Sequence, residues 1–282
     1  MFHSMRVPGD PVEVWMYGRD GQEVIRKTRI LPPEVYQIVP FQVAALPDAT
    51  LVLSAEMWTS AAEVVSVLCF VKPPGLLEKT VRTESLVADS LAVERTGIIW
   101  GFGSPPVARF QRRATYNTLA KWDRDGRQLG TFIPRSVFAI DENPAMYGNA
   151  GVSRVLVSPA KLVLYSTEAK EWLELDRSSA QIVDRFHLEA PATGADGGPA
   201  RAAEIVMTES NRVYAHFAAG SRSENVFFQL DRKQRRWVPL PKDSFPADFR
   251  GLMGAEGNSL ILRSGPGLYG WFPTPDIVTE DP

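Results

Sequence analysis

Residues 119–132, LAKWDRDGRQLGTF, read as two short β-strands folded over a tight turn. An aromatic strand ends in Asp123, Gly126 supplies the turn, and the chain returns through Leu129 and Phe132. Asp-Gly between alternating apolar stretches is a strong short-range hairpin signal. Residues 12–30, VEVWMYGRDGQEVIRKTRI, repeat that outline. A hairpin that recurs at a fixed interval would make the chain an array of equal sheets, so the interval decides the fold.

Taking the turn as a marker gives Gly21, Gly75, Gly126, Ser179 and Gln234, with successive separations of 54, 51, 53 and 55 residues. Ahead of each of the last four markers the same order appears: a strand of small residues, a short turn, a more aromatic strand, then the hairpin. In the third unit SRVLVS leads to KLVLYS and then WLELDRSSAQIVDRFHLE; in the fourth AEIVMTES leads to RVYAHFA and then NVFFQLDRKQRRWVPLP. Four short strands per repeat, rich in β-branched and aromatic residues, are the layout of a propeller blade. Helical periodicity is almost absent. The fold expected is all-β, one β-propeller domain over residues 1–282, with five blades and six as the alternative. Residues 249–272 supply the first strands of a fifth unit and stop short, while residues 12–30 are a terminal hairpin without the strands that should precede it. N-terminal strands completing the C-terminal blade would remove exposed edges at the seam.

The hairpins resemble those of bacterial β-propellers of the NHL and TolB-like kind. The matching residues are Trp122, Asp123, Gly126 and Phe132, Asp20 with Gly21, and Leu175 with Asp176. Ser179 and Gln234 depart from the pattern where Gly is expected, and no blade ends in the Trp-Asp dipeptide at WD40 spacing.

Composition narrows the function. Lys plus Arg number 31 against 33 Asp plus Glu, for a net charge of −2, so no global field favours nucleic acid or an anionic membrane surface. No segment approaches the roughly 18 consecutive apolar residues of a membrane span. The chain is expected to be soluble and monomeric, with no export signal in MFHSMRVPGD; a segment trimmed ahead of Met1 is compatible with that reading, and the compartment stays open. Cys69, the only cysteine, lies in the apolar run VVSVLCFV and reads as a buried core thiol.

Chemistry is sparse. His3, His187 and His216 are scattered, and no H-x-H, H-E-x-x-H or C-x-x-C occurs, so no metal or cofactor is expected. No G-x-S-x-G elbow is present. GPGLYG, residues 265–270, matches G-x-G-x-x-G literally, but it lacks the helix that would receive a pyrophosphate and reads as a turn. DRDG at 123–126 lacks the further oxygen ligands of a calcium loop and reads as a type I′ turn.

Geometry supplies the remaining candidates. Innermost strands of a propeller converge on an axial channel, and aligning the units places Gln42, Asp89, Arg154, Glu204 and Arg250 at its mouth. The function expected is a non-catalytic binding or scaffold propeller, its partner a small molecule, a glycan or a protein. Arg109, Arg112 and Arg113 in a long second-unit loop, and the segment PATGADGGPAR, could contribute. The alternative is a hydrolase of the glycosidase or lactonase kind using Asp89 and Glu204, since such chemistry wants two carboxyls about 5 to 10 Å apart. Glu94, Glu209 and Glu256 fall at the opposite opening, where they are expected to be solvated.

Overall fold

The computed structural model describes residues 12–18, 20, 22–30, 35–59, 63–83, 86–105, 115–138, 153–166, 169–191, 201–218, 226–241, 243–246, 248–249, 251–265, 268–275 and 277. Its regular structure is almost wholly strand, and the architecture is that of a five-bladed β-propeller. The chain divides into two compact units, Met1–Val137 and Phe138–Pro282.

In the first unit a hairpin, β1 (Val12–Tyr17) and β2 (Glu23–Ile30), precedes two blades. The first blade is β3 (Val35–Ala45), β4 (Leu51–Thr59), β5 (Val64–Lys72) and β6 (Leu76–Arg82); the second is β7 (Val87–Val93), β8 (Ile99–Ser104), β9 (Asn117–Trp122) and β10 (Gln128–Pro134). Both are antiparallel meanders in chain order; short turns favour pairing of neighbouring antiparallel strands, and the longer connection from β8 to β9 keeps the same order.

Alternation sends successive side chains of one strand to opposite faces, and both faces of the first blade are apolar. Leu53, Met57, Val67 and Cys69 point one way, where they share a core with Val12, Val14, Ile25 and Ile30 of the hairpin. Val52, Leu68 and Phe70 point the other way and share a core with Ala88, Ile99 and Trp122 of the second blade. The hairpin therefore forms a two-stranded sheet of its own and meets the first blade through side chains. The edge pairing with the last blade that the sequence suggested is not among the described ladders; β1 and β2 cover the side of the first blade that faces away from the second. Only five chain steps separate Ile30 from Val35, a reach of at most about 18 Å, and this keeps the hairpin beside β3. Thr28 fastens it further by donating its hydroxyl to the Gly75 carbonyl at 2.9 Å.

The second unit holds three blades. The third is β11 (Ser153–Val157), β12 (Leu162–Ser166), β13 (Glu171–Leu175) and β14 (Ile182–His187); the fourth is β15 (Arg201–Met207), β16 (Val213–Ala218), β17 (Val226–Asp231) and β18 (Arg236–Pro239). The fifth has three described strands, β19 (Gly251–Glu256), β20 (Ser259–Gly265) and β21 (Leu268–Pro273). Aromatic side chains fill the space between the third and fourth blades: Trp172 stacks on Phe186 at 5.9 Å, and Trp237 meets Tyr165 and Phe217 edge-on at 6.2 and 5.3 Å. The turn after β17 adds cations to this layer, with Arg232 over Trp172 and Arg235 over Phe186 at 6.0 and 5.3 Å. Arg232 also forms an ion pair with buried Glu174 at 3.3 Å, and Lys161 donates to the same carboxylate at 2.7 Å. Burial pulls the Glu174 carboxyl up, but its cations and the Trp172 indole N–H outweigh burial, so the group sits below the ordinary glutamate range.

An aspartate that closes the third strand of the second, third and fourth blades explains the recurring marker there. Asp123 accepts backbone N–H bonds from Asp125 and Arg127 at 3.0 and 2.9 Å, Asp176 from Ser178 and Ser179 at 3.1 and 2.8 Å, and Asp231 from Gln234 at 2.9 Å. A carboxylate that satisfies turn amides in this way makes a hairpin independent of a single glycine. The Asp123 turn is not the expected type I′. Only Gly126 has positive φ, +83°, and its N–H bonds to the Asp123 carbonyl, which is a type I turn followed by a left-handed residue. In the third and fourth blades the left-handed position moves one residue on, to Ala180 and Arg235 at φ +56° and +53°. That shift is why Ser179 and Gln234 stand where Gly was expected.

One further regularity lies in the outermost strands. Glu78 in β6, Leu129 in β10 and Val183 in β14 are extra residues where the ladder register slips just past the hairpin turn.

Two predictions follow from the turns. A Cβ at Gly126 would lie 3.0 Å from ring atoms of Phe70 on the neighbouring blade, at a φ that only glycine adopts freely. Gly126→Ala should therefore cost about 1 to 3 kcal/mol in urea unfolding, and an unchanged midpoint would refute the packing described. Asp176 is held down to about 2 by the hydroxyl of Ser178 and by the amide and hydroxyl of Ser179. Its folded pKa lies below the unfolded value of about 3.9, so the unfolded state binds more protons in acid. The stability it contributes is present above about pH 4 and is lost as pH falls toward 2. Asp176→Asn, which keeps the accepting oxygen without the charge, should flatten the dependence of the melting temperature on pH between 4 and 2.

Candidate functional site

Four of the five residues predicted to line the axial mouth are described, and all four lie on innermost strands. Arg250 lies outside the described residues, as do Arg109, Arg112, Arg113 and most of PATGADGGPAR. None of the four begins its strand. Gln42 is deep within β3, because that strand starts at Val35. Asp89 is the third residue of β7, Arg154 the second of β11 and Glu204 the fourth of β15.

In the second unit two of these residues meet. Arg154 Nε lies 3.0 Å from Glu204 Oε1 and Nη2 lies 3.4 Å from Oε2, a two-pronged bridge between the innermost strands of the third and fourth blades. The side chains are only 13% and 24% exposed, so the pair is better shielded than a surface ion pair. Planar guanidinium and carboxylate match atom for atom, which adds direction to charge. Beside Glu204 in the ladder, His216 is buried and lies against the Phe227 ring at 5.2 Å. It is a packed strand residue.

In the first unit the ladder places Asp89 at a bulge in β7, the residue passed over between Ala88 and Ser90. The inserted residue bends the strand there, and the Ala88 N–H beside it donates to Ser54 Oγ at 3.1 Å. Ser54 is the ladder partner of Gln42. Gln42 and Ser54 thus share the face of the first blade that looks toward β7, and two further rows of that face continue outward along β3, β4 and β5. One row is Val39, Glu56 and Ser66; the next is Gln37, Trp58 and Val64. Sequence alignment of the repeats missed this extension because it counted β3 from Phe41. The only signal was the apolar stretch VYQIV ahead of Pro40, which the structure joins to FQVAA in one strand of eleven residues.

Glu209 and Glu256, expected to be solvated, are exposed and Glu94 is half-buried; Glu94 and Glu256 are also hydrogen-bond acceptors for tryptophan. Trp100 Nε1 donates to Glu94 and Trp271 Nε1 to Glu256, each at 2.7 Å. Glu94 anchors an indole of the next strand, β8, and Glu256 one of β21, across β20, which gives both a structural task. Glu209 donates its backbone N–H to the Gly257 carbonyl at 3.0 Å, linking the turns of the fourth and fifth blades.

Among the described residues no three His, Cys, Asp or Glu side chains converge as a metal site requires, and no helix is long and apolar enough to cross a membrane. Burial pushes the Cys69 thiol up to about 12, so it stays protonated and unreactive at neutral pH.

No protein-family model and no curated protein matches the sequence. Among solved structures the chain is similar to a protein of unknown function from Bacteroides caccae, with TM-score 0.48 and 14% identity over 84% of this chain and 78% of that one. It is similar also to the Cps50 (Swd1) β-propeller domain of Myceliophteria thermophila, with TM-score 0.48 and 13% identity over 88% and 70%. A luciferin-regenerating enzyme gives TM-score 0.45 and 12% identity over 79% and 68%. Likeness at this level assigns no activity.

The shielded bridge between blades makes a measurable claim. A double-mutant cycle with Arg154→Met and Glu204→Gln should give a coupling energy of about 1 to 3 kcal/mol in chemical unfolding, as expected for a partly buried charge pair. A coupling near zero would mean that the two groups are held apart by water in solution.

Proposed function

We propose that this protein is a binding or scaffold β-propeller that acts without catalysis, presenting polar residues of its innermost strands to a small molecule, a glycan or a protein. Gln42, Asp89, Arg154, Glu204 and Arg250 are the contacts proposed, with the protein acting as a monomer. The observation that carries this reading is the bridge at Glu204. Both of its carboxylate oxygens are engaged by Arg154, and a carboxylate clasped in this way is poorly placed to donate a proton or attack a sugar carbon. The hydrolase alternative needs Glu204 and Asp89 as its acids, and it loses one of them to a structural bond. Fold alone does not decide between these readings, so the chemistry of this carboxylate is given the deciding weight.

The test is hydrolysis. Full-length protein incubated with 4-nitrophenyl glycosides and with aryl and alkyl lactones, with and without calcium and zinc ions, should give no turnover above buffer. Turnover that disappears in both Asp89→Asn and Glu204→Gln would overturn the proposal.

A further inference from the structure

The first blade is longer than its neighbours in one direction. Its three inner strands run 11, 9 and 9 residues, against 7, 6 and 6 in the second blade. Its outermost strand stops short of the extension, since β6 pairs with β5 only as far as Arg82 opposite Val67. Beyond that point the sheet is three strands wide and carries the rows Val39–Glu56–Ser66 and Gln37–Trp58–Val64.

Residues opposite one another in an antiparallel ladder, and those two apart on one strand, point to the same face. Gln37, Glu56, Trp58 and Ser66 therefore share a face with Ser54 and Leu68. The second blade covers Ser54 and Leu68, through the Ala88 amide and the shared core respectively. Further out, Trp58 is 39% exposed, a large aromatic surface left to solvent. Ser66 is only 5% exposed, yet its hydroxyl has no hydrogen-bond partner among the described residues. Buried hydroxyls are rarely left unpaired, and each exception calls for a reason.

We propose that this face is a saccharide subsite, with the Trp58 indole as the platform for the apolar C–H face of a pyranose and with Gln37, Glu56 and Ser66 meeting its hydroxyl rim. The chemistry selects this class. An indole that shares a face with an amide and a carboxylate, with the unpaired Ser66 hydroxyl buried beside them, offers a broad apolar surface next to polar groups, the chemistry that a sugar ring requires. A carboxylate in the row disfavours phosphate-bearing ligands, whereas it accepts hydrogen bonds from neutral hydroxyls readily. The subsite deepens the binding function proposed above, rests on it, and occupies the two rows beyond Gln42.

Full-length protein is titrated by calorimetry with gluco-, manno-, galacto- and xylo-oligosaccharides of four and six units. At least one should bind saturably to the wild type. Trp58→Ala should weaken that binding about tenfold or more, as loss of a stacking platform does, and Trp58→Phe should recover part of it. Ser66→Ala should weaken binding about 3- to 10-fold with an unchanged or higher melting temperature, because its hydroxyl is unpaired in the fold. Absence of saturable binding by every oligosaccharide overturns the subsite. So does binding that survives Trp58→Ala at wild-type affinity; if that binding is lost in Arg154→Met, the broader binding function stands without this subsite. Hydrolysis of the bound oligosaccharide would overturn the non-catalytic reading and leave the subsite in place.

Discussion

The first and fourth blades of this protein are apolar on both faces, and that single constraint organises the rest. β4 shows it plainly: Leu51, Val52, Leu53, Ser54 and Ala55 are all buried in succession, which a sheet with one wet face does not allow. Leu53 serves the core shared with the hairpin and Val52 the core shared with the second blade. A sheet of this kind cannot stand alone, and stacking against neighbours is what hides its surface from water. The aromatic layer between the third and fourth blades answers the same need with Trp172, Phe186, Phe217 and Trp237.

Polar ties then fix how the apolar faces meet. Packing is nearly indifferent to small slides, whereas hydrogen bonds and ion pairs have direction. The ties concentrate at strand ends: Arg124 reaches Asp48 at 2.8 Å, Lys79 reaches Asp125 at 3.1 Å, Ser158 donates to Asn211, and Ser210 N–H donates to Asn258 at 3.0 Å. Tyr214 holds the chain beyond β21 by donating to the Pro275 carbonyl at 2.9 Å. Arg154 with Glu204 belongs to this set, so two of the proposed contacts also tie neighbouring blades together.

Much of the fold was legible because the repeat is written in turn chemistry. Asp123, Asp176 and Asp231 stand at corresponding places, and local rules connect such residues to hairpins without reference to the rest of the molecule. The turn type was less legible, since Ala180 and Arg235 occupy left-handed positions that sequence rules reserve for glycine or asparagine. The site was legible only as a set of strand positions. Which charges pair depends on how two strands 50 residues apart are brought together, and no local pattern encodes that distance. The extension of the first blade was hidden by Pro40, which punctuates β3 in sequence but sits within the ladder, opposite Ala55 and next to a bulge. The hairpin at residues 12–30 was recognised as a hairpin; its place came from its apolar face and short tether.

The irregularities at Glu78, Leu129 and Val183 carry a consequence for life at high concentration. An outermost strand presents a row of unpaired amides and carbonyls that another molecule could extend. An inserted residue kinks that row and twists it out of plane. The fourth blade reaches the same end differently, with an outer strand of four residues that finishes in Pro239. These four margins offer no straight template on which a second molecule could add a strand.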